Sequence, residues 1–170
     1  MPGTKQPVCS KLVSTDWDVI SECCSNIKQQ IVERELKIDS IVGLSRGGLV
    51  PATILAHMLS VRKVLVHGYH SYDDQTHKRC NENPHGVMYQ DVAWDLSFSA
   101  GGDLLIVDDL CDQGITMKGL VKRLEGKLTD SDTNFHTAAL FCKTRSVFLP
   151  DFIGMTCGDE WIAFPWETPN

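Results

Sequence analysis

The stretch Leu104–Thr116, with the sequence LLIVDDLCDQGIT, decides the fold class of this chain. Four apolar residues run without interruption into the adjacent carboxylates Asp108 and Asp109, and a third carboxylate, Asp112, precedes a glycine-containing turn. An unbroken apolar run is typical of a strand that is buried on both faces of a sheet. A helix pattern follows from about Thr116, so the turn joins a strand to a helix. The stretch therefore predicts a buried strand that delivers acids to a crevice at its carboxyl end.

Strand-like and helix-like segments alternate along the rest of the chain. Short apolar strands are predicted at 40–44, 64–69, 87–94 and 135–142, with a last one around 161–162. Helices are predicted from Thr15, as the capping residue, to about Leu36, from Pro51 to Leu59, and over a face that runs from Met117 to Leu128. This alternation predicts an α/β fold, in which a parallel twisted sheet is flanked by helices.

Composition limits the class of protein. The chain has 170 residues and a net charge of −6, which suits one domain and argues against general affinity for nucleic acid or anionic membranes. It holds no apolar run of the roughly 18 residues that a transmembrane helix needs. Residues 1–10 lack the apolar core of a signal peptide. Seven cysteines, an odd number, indicate reduced thiols in a cytoplasmic protein.

We expect a single domain over residues 1–170, beginning with a loose N-terminal arm at 1–14. The polar stretch 71–85 has little apolar periodicity and is interpreted as part of a mobile loop region at 71–95. His67, His70, His77, Cys80 and His85 lie in or near this stretch, but only His77 and Cys80 approach the spacing of a zinc site, and a loop explains the segment as well.

The acidic pair and the turn after it have the chemistry of a sugar-phosphate site. Asp108 and Asp109 can accept ribose hydroxyls or hold Mg²⁺ through waters, although Asp also often caps a turn. The segment Gln113–Thr116 offers backbone amides and a hydroxyl to a phosphate at a helix start. Its alternative role is an ordinary Thr N-cap after a glycine turn. Together the two features indicate a phosphorylated sugar.

Three further positions offer polar or flat apolar groups. Arg46 and Gly47 combine a cation with exposed amides, which suits pyrophosphate, or form a plain strand-to-helix turn. Lys143 follows an apolar strand and can donate to an exocyclic ring oxygen, or simply end a strand in solvent. Trp161 and Ile162 can form a flat slot for a planar base, although a tryptophan in isolation is more often part of a core.

Taken together, these segments resemble the type I phosphoribosyltransferases, and among them the xanthine-guanine phosphoribosyltransferases and related purine enzymes. Residues 106–116 match the phosphoribosyl-pyrophosphate signature of that family. The other matching segments are the pyrophosphate loop at 42–51, the start of the catalytic loop at 71–73, and the base-binding C-terminus at 159–162 and 164–167.

The resemblance implies Mg²⁺-dependent transfer of a 5-phosphoribosyl group from phosphoribosyl pyrophosphate to N9 of a 6-oxopurine, namely guanine, xanthine or hypoxanthine. On the donor side, Asp108 and Asp109 would hold the ribose hydroxyls and, through water, Mg²⁺. The 5′-phosphate would be bound by Gln113, Gly114, Ile115 and Thr116. Pyrophosphate would be bound by Ser45, Arg46 and Gly47, with a non-proline cis peptide expected between Ser45 and Arg46.

On the base side, the resemblance implies that Asp112 manages the proton at N7 and that Lys143 meets the 6-oxo group. Trp161 would pack on the purine ring, and the backbone at Trp161 and Ile162 would read its 2-position. These last residues belong to a base-binding hood at 144–170. Members of the family are commonly homodimers or homotetramers, and we expect the same here.

Two alternatives to this function stay open at the level of sequence. A nucleotide-sensing regulator with the same fold would bind a nucleotide without catalysis. A phosphoribosyltransferase acting on a modified or non-purine base would keep the donor site and change the acceptor.

Overall fold

The computed structural model describes residues 12–70, 87–90, 102–127 and 132–167, which contain eight strands and three helices. In chain order these elements are β1 (Leu12–Ser14), α1 (Trp17–Glu33), β2 (Ile38–Ser45), α2 (Leu49–Met58), β3 (Val64–His70), β4 (Val87–Gln90), β5 (Gly102–Cys111), α3 (Ile115–Lys127), β6 (Thr133–Lys143), β7 (Phe152–Cys157) and β8 (Trp161–Ala163).

The central sheet has the strand order β4-β3-β2-β5-β6-β7. The pairs β3–β2, β2–β5, β5–β6 and β6–β7 are parallel, and β4 pairs antiparallel with β3 at the edge. This confirms the predicted α/β class with a mostly parallel sheet. From β2, the chain adds β3 and then β4 on one side of the sheet. From β5, it adds β6 and then β7 on the other side. The gap between the carboxyl ends of β2 and β5 is therefore the switch point at which such sheets bind ligands.

The apolar run of β5 is unbroken because helices cover both faces of the sheet. Leu105 and Val107 belong to the main core cluster, which also contains the buried residues of α1 and α2. The alternate residues Leu104 and Ile106 belong to a second cluster with α3. Successive side chains of a strand point to opposite faces, so only a strand covered on both sides needs four apolar residues in a row.

A second, two-stranded sheet joins β1 to β8 in parallel. The prediction of a loose arm over 1–14 is therefore wrong for its last three residues, because β8 supplies them with a pairing partner. Thr15 extends the contact, since its backbone N–H and its hydroxyl both donate to the Ala163 carbonyl, at 2.9 and 3.0 Å. The helix is capped one residue later than predicted, by the Asp16 side chain, which accepts from the Val19 N–H.

Strand β5 is longer than the sequence predicts. Asp108 and Asp109 lie inside the strand rather than at its end, and pairing with β6 continues to the register pair Cys111↔Cys142. The strand persists because β6 runs on to Lys143 and offers backbone partners over the same length. The acids consequently sit on a rigid element.

Strand β7 is absent from the sequence predictions because its segment, FIGMTC, contains a glycine and lacks a clear apolar period. The glycine has a packing reason: a Cβ on Gly154 would lie 2.6 Å from the Leu140 carbonyl and 2.7 Å from the Cys23 Cβ. Residues 91–94 of the strand predicted at 87–94, the polar stretch 71–85 of the predicted loop region, and Leu128 fall outside the described residues. Of the helices in the described ranges, none is long and apolar enough to cross a membrane.

Candidate active site

A cavity of about 220 Å³ lies at the carboxyl ends of β2 and β5. Arg46 and Thr116, which are 70 positions apart, both line it, so the two glycine-containing turns meet at one site. The residues that the sequence singled out and that line this cavity are Ser45, Arg46, Gly47, Asp108, Asp109, Asp112, Gln113, Gly114, Ile115, Thr116, Lys143 and Trp161.

The turn between β2 and α2 contains the expected non-proline cis peptide, between Ser45 and Arg46. Space in this turn is restricted on the side of β5. A Cβ on Gly48 would lie 2.6 Å from the Val107 carbonyl oxygen, and a Cβ on Gly47 would lie 1.6 Å from Asp109 Oδ2. Both positions accept only glycine without rearrangement, so the β2–α2 turn is pressed against the acidic segment of β5.

Burial raises the pKa of both acids of the pair. For Asp108 the pKa lies well above its ordinary value because the carboxyl is desolvated and faces the charge of Asp109. For Asp109 the pKa is also raised, again chiefly by desolvation. The two residues are further joined by a hydrogen bond of 3.0 Å from the Asp109 N–H to Asp108 Oδ1. Two carboxyl groups held this close carry a charge that a ligand cation or hydroxyl would stabilise.

The segment after β5 turns sharply at Gly114, which has a φ of +73°, and α3 begins at the next residue. Thr116 thus lies inside the first turn of α3 and is not its N-cap, which removes the alternative role considered for it. The turn is supported from behind, because the Val147 N–H donates to the Gln113 carbonyl at 3.4 Å. The first residues of α3, Ile115 to Met117, line the cavity, and the backbone amides at the start of a helix are suited to an anion.

Lys143 is the last residue of β6 and is only 4% exposed. Its ammonium group lies 3.6 Å from Asp112 Oδ1. A buried lysine is expensive unless it is paired, so its position beside Asp112 is not that of a solvated strand end. Lys143 and Asp112 form a partly buried ion pair in the cavity wall.

Trp161 and Ile162 do not share one face, so the predicted slot formed by both side chains is wrong. Trp161 lines the cavity and is 42% exposed, whereas Ile162 is 4% exposed and belongs to the main core cluster. The two are successive residues of β8, and successive side chains of a strand alternate. A contact from the backbone of Ile162 remains a prediction.

The sequence analysis missed Arg145 and placed Phe164 in the base-binding C-terminus at 164–167 without a role of its own. Phe164 lines the cavity and stacks on Trp166, with ring centroids 4.6 Å apart. The Arg145 guanidinium donates from Nε to Asp112 Oδ1 at 2.8 Å. The available signal was position: Arg145 follows Lys143 by two residues, and the end of β6 faces the same edge as the end of β5.

Comparison with known proteins agrees with this architecture. The sequence model described as phosphoribosyl transferase domain matches residues 16–169. A purine phosphoribosyltransferase from Pyrococcus horikoshii Ot3 has a similar structure, with a TM-score of 0.73, 24% identity, and coverage of 94% of this chain and 95% of that chain. The xanthine-guanine-hypoxanthine phosphoribosyltransferase of Helicobacter pylori gives a TM-score of 0.68 at 23% identity, over 92% and 94% of the two chains.

A third similar structure is a hypothetical protein from Neisseria gonorrhoeae with bound ppGpp. It has a TM-score of 0.68 and 20% identity, over 94% of this chain and 90% of that chain. At these identities, the solved structures establish the shared fold.

Proposed function

The chain belongs to the phosphoribosyl transferase domain family, and from that premise we propose that it transfers a 5-phosphoribosyl group from phosphoribosyl pyrophosphate to N9 of a 6-oxopurine. The products are a nucleoside monophosphate and pyrophosphate. The observation that supports this proposal is that one cavity is lined by the two glycine-containing turns, an acidic pair, a buried lysine and an exposed tryptophan.

The donor binds across the switch point. Amides at the start of α3 and the hydroxyl of Thr116 hold the 5′-phosphate. Arg46 and the amides of the cis-containing turn hold the pyrophosphate, which needs several donors at once. These two anchors grip opposite ends of the sugar, so C1′ is held in line for substitution.

Asp108 and Asp109 fit the needs of a magnesium site. Their oxygens are the hard ligands that Mg²⁺ prefers, and burial has raised the pKa of both, so a divalent cation would stabilise the ionised pair. Within the described residues, no group of three or more His, Cys, Asp or Glu side chains is arranged to hold a metal ion. When bound, Mg²⁺ neutralises charge on the leaving pyrophosphate.

The acceptor base lies between Trp161 and the Lys143–Asp112 pair. The Trp161 ring offers a face for stacking, and the Lys143 ammonium donates to the 6-oxo group. The Asp112 carboxylate accepts the proton that leaves the purine at N7. The N9–C1′ bond forms as the bond from C1′ to the pyrophosphate oxygen breaks.

The direct test is to incubate the protein with phosphoribosyl pyrophosphate, Mg²⁺ and a panel of bases, and to detect pyrophosphate and the nucleotide product. Guanine, xanthine and hypoxanthine are expected to react, and adenine is the matched base without the 6-oxo group. If none of the purines reacts but a modified or non-purine base does, that base is the acceptor and the proposed 6-oxopurine is wrong. Light scattering of the same sample tests the expected homodimer or homotetramer.

A second candidate function is nucleotide sensing without catalysis. The observation that favours it is the similar Neisseria gonorrhoeae structure, which holds ppGpp. In this chain, the phosphates of such a nucleotide would bind to the same two glycine-containing turns, at Ser45–Gly47 and at Gln113–Thr116. Tight binding of a nucleotide without release of pyrophosphate from the donor, with every base tested, would favour this function over transfer.

A further inference from the structure

Arg145 connects two parts of the cavity wall that are distant in sequence. Its Nε and Nη2 both donate to Oδ1 of Asp112, and its Nη1 lies 3.3 Å from Oδ1 of Asp159. Asp112 belongs to the turn after β5, and Asp159 stands two residues before Trp161. The Arg145 guanidinium therefore connects Asp112, in the turn after β5, to the segment that carries Trp161.

The contact between Arg145 and Asp112 differs from an ordinary surface ion pair, which contributes little because water screens it. The contact between Arg145 and Asp159 is exposed, because the two side chains are 43% and 73% exposed. The Asp112 side chain is only 18% exposed, and the Lys143 ammonium lies 3.6 Å from the same oxygen that Arg145 contacts. Two cations on one oxygen restrict how the carboxylate rotates. The planar guanidinium, with five donors, can serve two carboxylates at once, whereas a lysine ammonium is a point charge on a flexible stem.

The loop that carries Arg145 is itself fixed against the phosphate turn. The Ser146 N–H donates to the Lys143 carbonyl at 2.9 Å, which closes the loop directly after β6. On the other side, a Cβ on Gly114 would lie 2.5 Å from the Phe148 Cβ, so the loop and the turn are in close contact. Arg145 is thus presented to Asp112 from a well-supported backbone.

We propose that Arg145 is a positioning residue, which orients the Asp112 carboxylate toward the base and links that orientation to the Trp161 segment through Asp159. This inference rests on the proposed function. It predicts that Arg145 acts on the chemical step rather than on binding of the donor, because the two carboxylates that its guanidinium contacts, those of Asp112 and Asp159, belong to the base side of the proposed site.

The experiment compares wild type with Arg145→Ala, Arg145→Lys, Asp159→Asn and the double variant Arg145→Ala/Asp159→Asn. The matched control is Arg62→Ala, because Arg62 is exposed and precedes the amino end of β3, at the opposite edge of the sheet. For each variant, kcat, the KM for phosphoribosyl pyrophosphate and the KM for the base are measured. Thermal melting checks that each variant is folded.

We expect Arg145→Ala to lower kcat by between about tenfold and a hundredfold, with little change in the KM for the donor. Arg145→Lys should recover part of the loss, because its ammonium can reach one carboxylate but not both. Asp159→Asn alone should lower kcat by about threefold, and it should have no further effect when Arg145 is already alanine, since interacting residues are not additive.

Three results would overturn the inference while leaving the proposed function intact: an active wild type with an unchanged kcat in Arg145→Ala, a loss confined to the KM for the donor, or full additivity in the double variant. If Arg145→Ala does not fold, Arg145→Lys and Asp159→Asn carry the test, and wild-type kcat in both would overturn the inference. A wild type that catalyses no transfer to any base would overturn the proposed function and this inference with it.

Discussion

The carboxylate of Asp109 occupies the space that any side chain at position 47 would need. An added Cβ on Gly47 would lie 1.6 Å from Asp109 Oδ2 and 2.4 Å from its Cγ. The β2–α2 turn can therefore lie this close to Asp109 of β5 only because residue 47 is a glycine.

The first prediction follows from this fit. Gly47→Ala should displace either the β2–α2 turn or the Asp109 carboxylate, and turnover should fall by about a hundredfold or more, because reacting groups tolerate little misplacement. Gly119→Ala is the matched control, since Gly119 lies in α3 with no atom within 4 Å of an added Cβ. That control should raise the free energy of unfolding by up to about 1 kcal/mol and leave turnover unchanged. Wild-type turnover in Gly47→Ala would contradict the prediction.

Asp112→Asn should lower kcat by about a hundredfold to ten-thousandfold, because an amide cannot accept the N7 proton. Donor affinity, measured by calorimetry with phosphoribosyl pyrophosphate, should change little. Asp132→Asn serves as control, because Asp132 is exposed and precedes the amino end of β6. An unaltered kcat in Asp112→Asn would refute the acid–base role.

Lys143→Ala should weaken binding of 6-oxopurines more than binding of adenine, because only the former lose a hydrogen bond to the ammonium group. Removing one partner of a hydrogen-bonded charge typically costs about 1.5–3 kcal/mol. The measurement is the KM or Kd for guanine and for adenine. Lys122→Ala is the control, because Lys122 is an exposed residue of α3. Equal losses for the two bases would remove this assignment.

Chelation with EDTA should abolish turnover, and added Mg²⁺ should restore it. Asp108→Asn and Asp109→Asn should raise the Mg²⁺ concentration needed for half-maximal activity by about tenfold or more. Asp103→Asn provides a control in the same strand, at its other end, where Asp103 pairs with His136. If the Mg²⁺ requirement is the same in all three variants, the acidic pair does not hold the ion.

The buried cysteines should make the protein sensitive to alkaline pH. Burial raises the pKa of Cys23 to about 11 and the pKa of Cys24 and Cys111 to about 12. Below its ordinary pKa, each thiol is protonated in both states. Above it, only the unfolded state loses the proton, so the free energy of unfolding falls as pH rises toward the folded-state pKa. Each buried thiol contributes up to about 1.4 kcal/mol per pH unit.

Denaturant unfolding between pH 9 and 10.5 measures this effect, because Cys24→Ala should make the decline less steep by about one such contribution. The slope of the free energy of unfolding against pH is the relevant quantity, because the substitution also removes buried volume and so lowers the absolute stability at every pH. An identical slope in wild type and Cys24→Ala would show that this thiol does not titrate on unfolding.

The sequence predicts the parts of the fold that local patterns encode. The apolar run before Asp108 gave the central strand, the glycine turns gave both strand-to-helix connections, and the cavity brings Arg46 and Thr116 together as the topology requires. The cis peptide after Ser45 was anticipated from the family resemblance and not from the residues alone.

The sequence fails where distant segments decide the outcome. The pairing of β1 with β8 depends on a partner almost the whole chain away, and nothing local in residues 12–14 marks it. Ile162 was assigned to the slot of Trp161, but the alternation of a short strand turns it into the core. The contact between Arg145 and Asp112 could not be predicted from local sequence, because it depends on β5 and β6 ending side by side.

The hydrogen bonds from Thr15 to Ala163 span 148 positions of the chain. During synthesis, the strand that carries Trp161 therefore emerges from the ribosome long after its partner β1, which must wait unpaired until then. Contacts of such long range also tend to form late and slow folding. In a nascent chain, the part of the cavity wall that contains Trp161 would thus form last, after both glycine-containing turns have emerged.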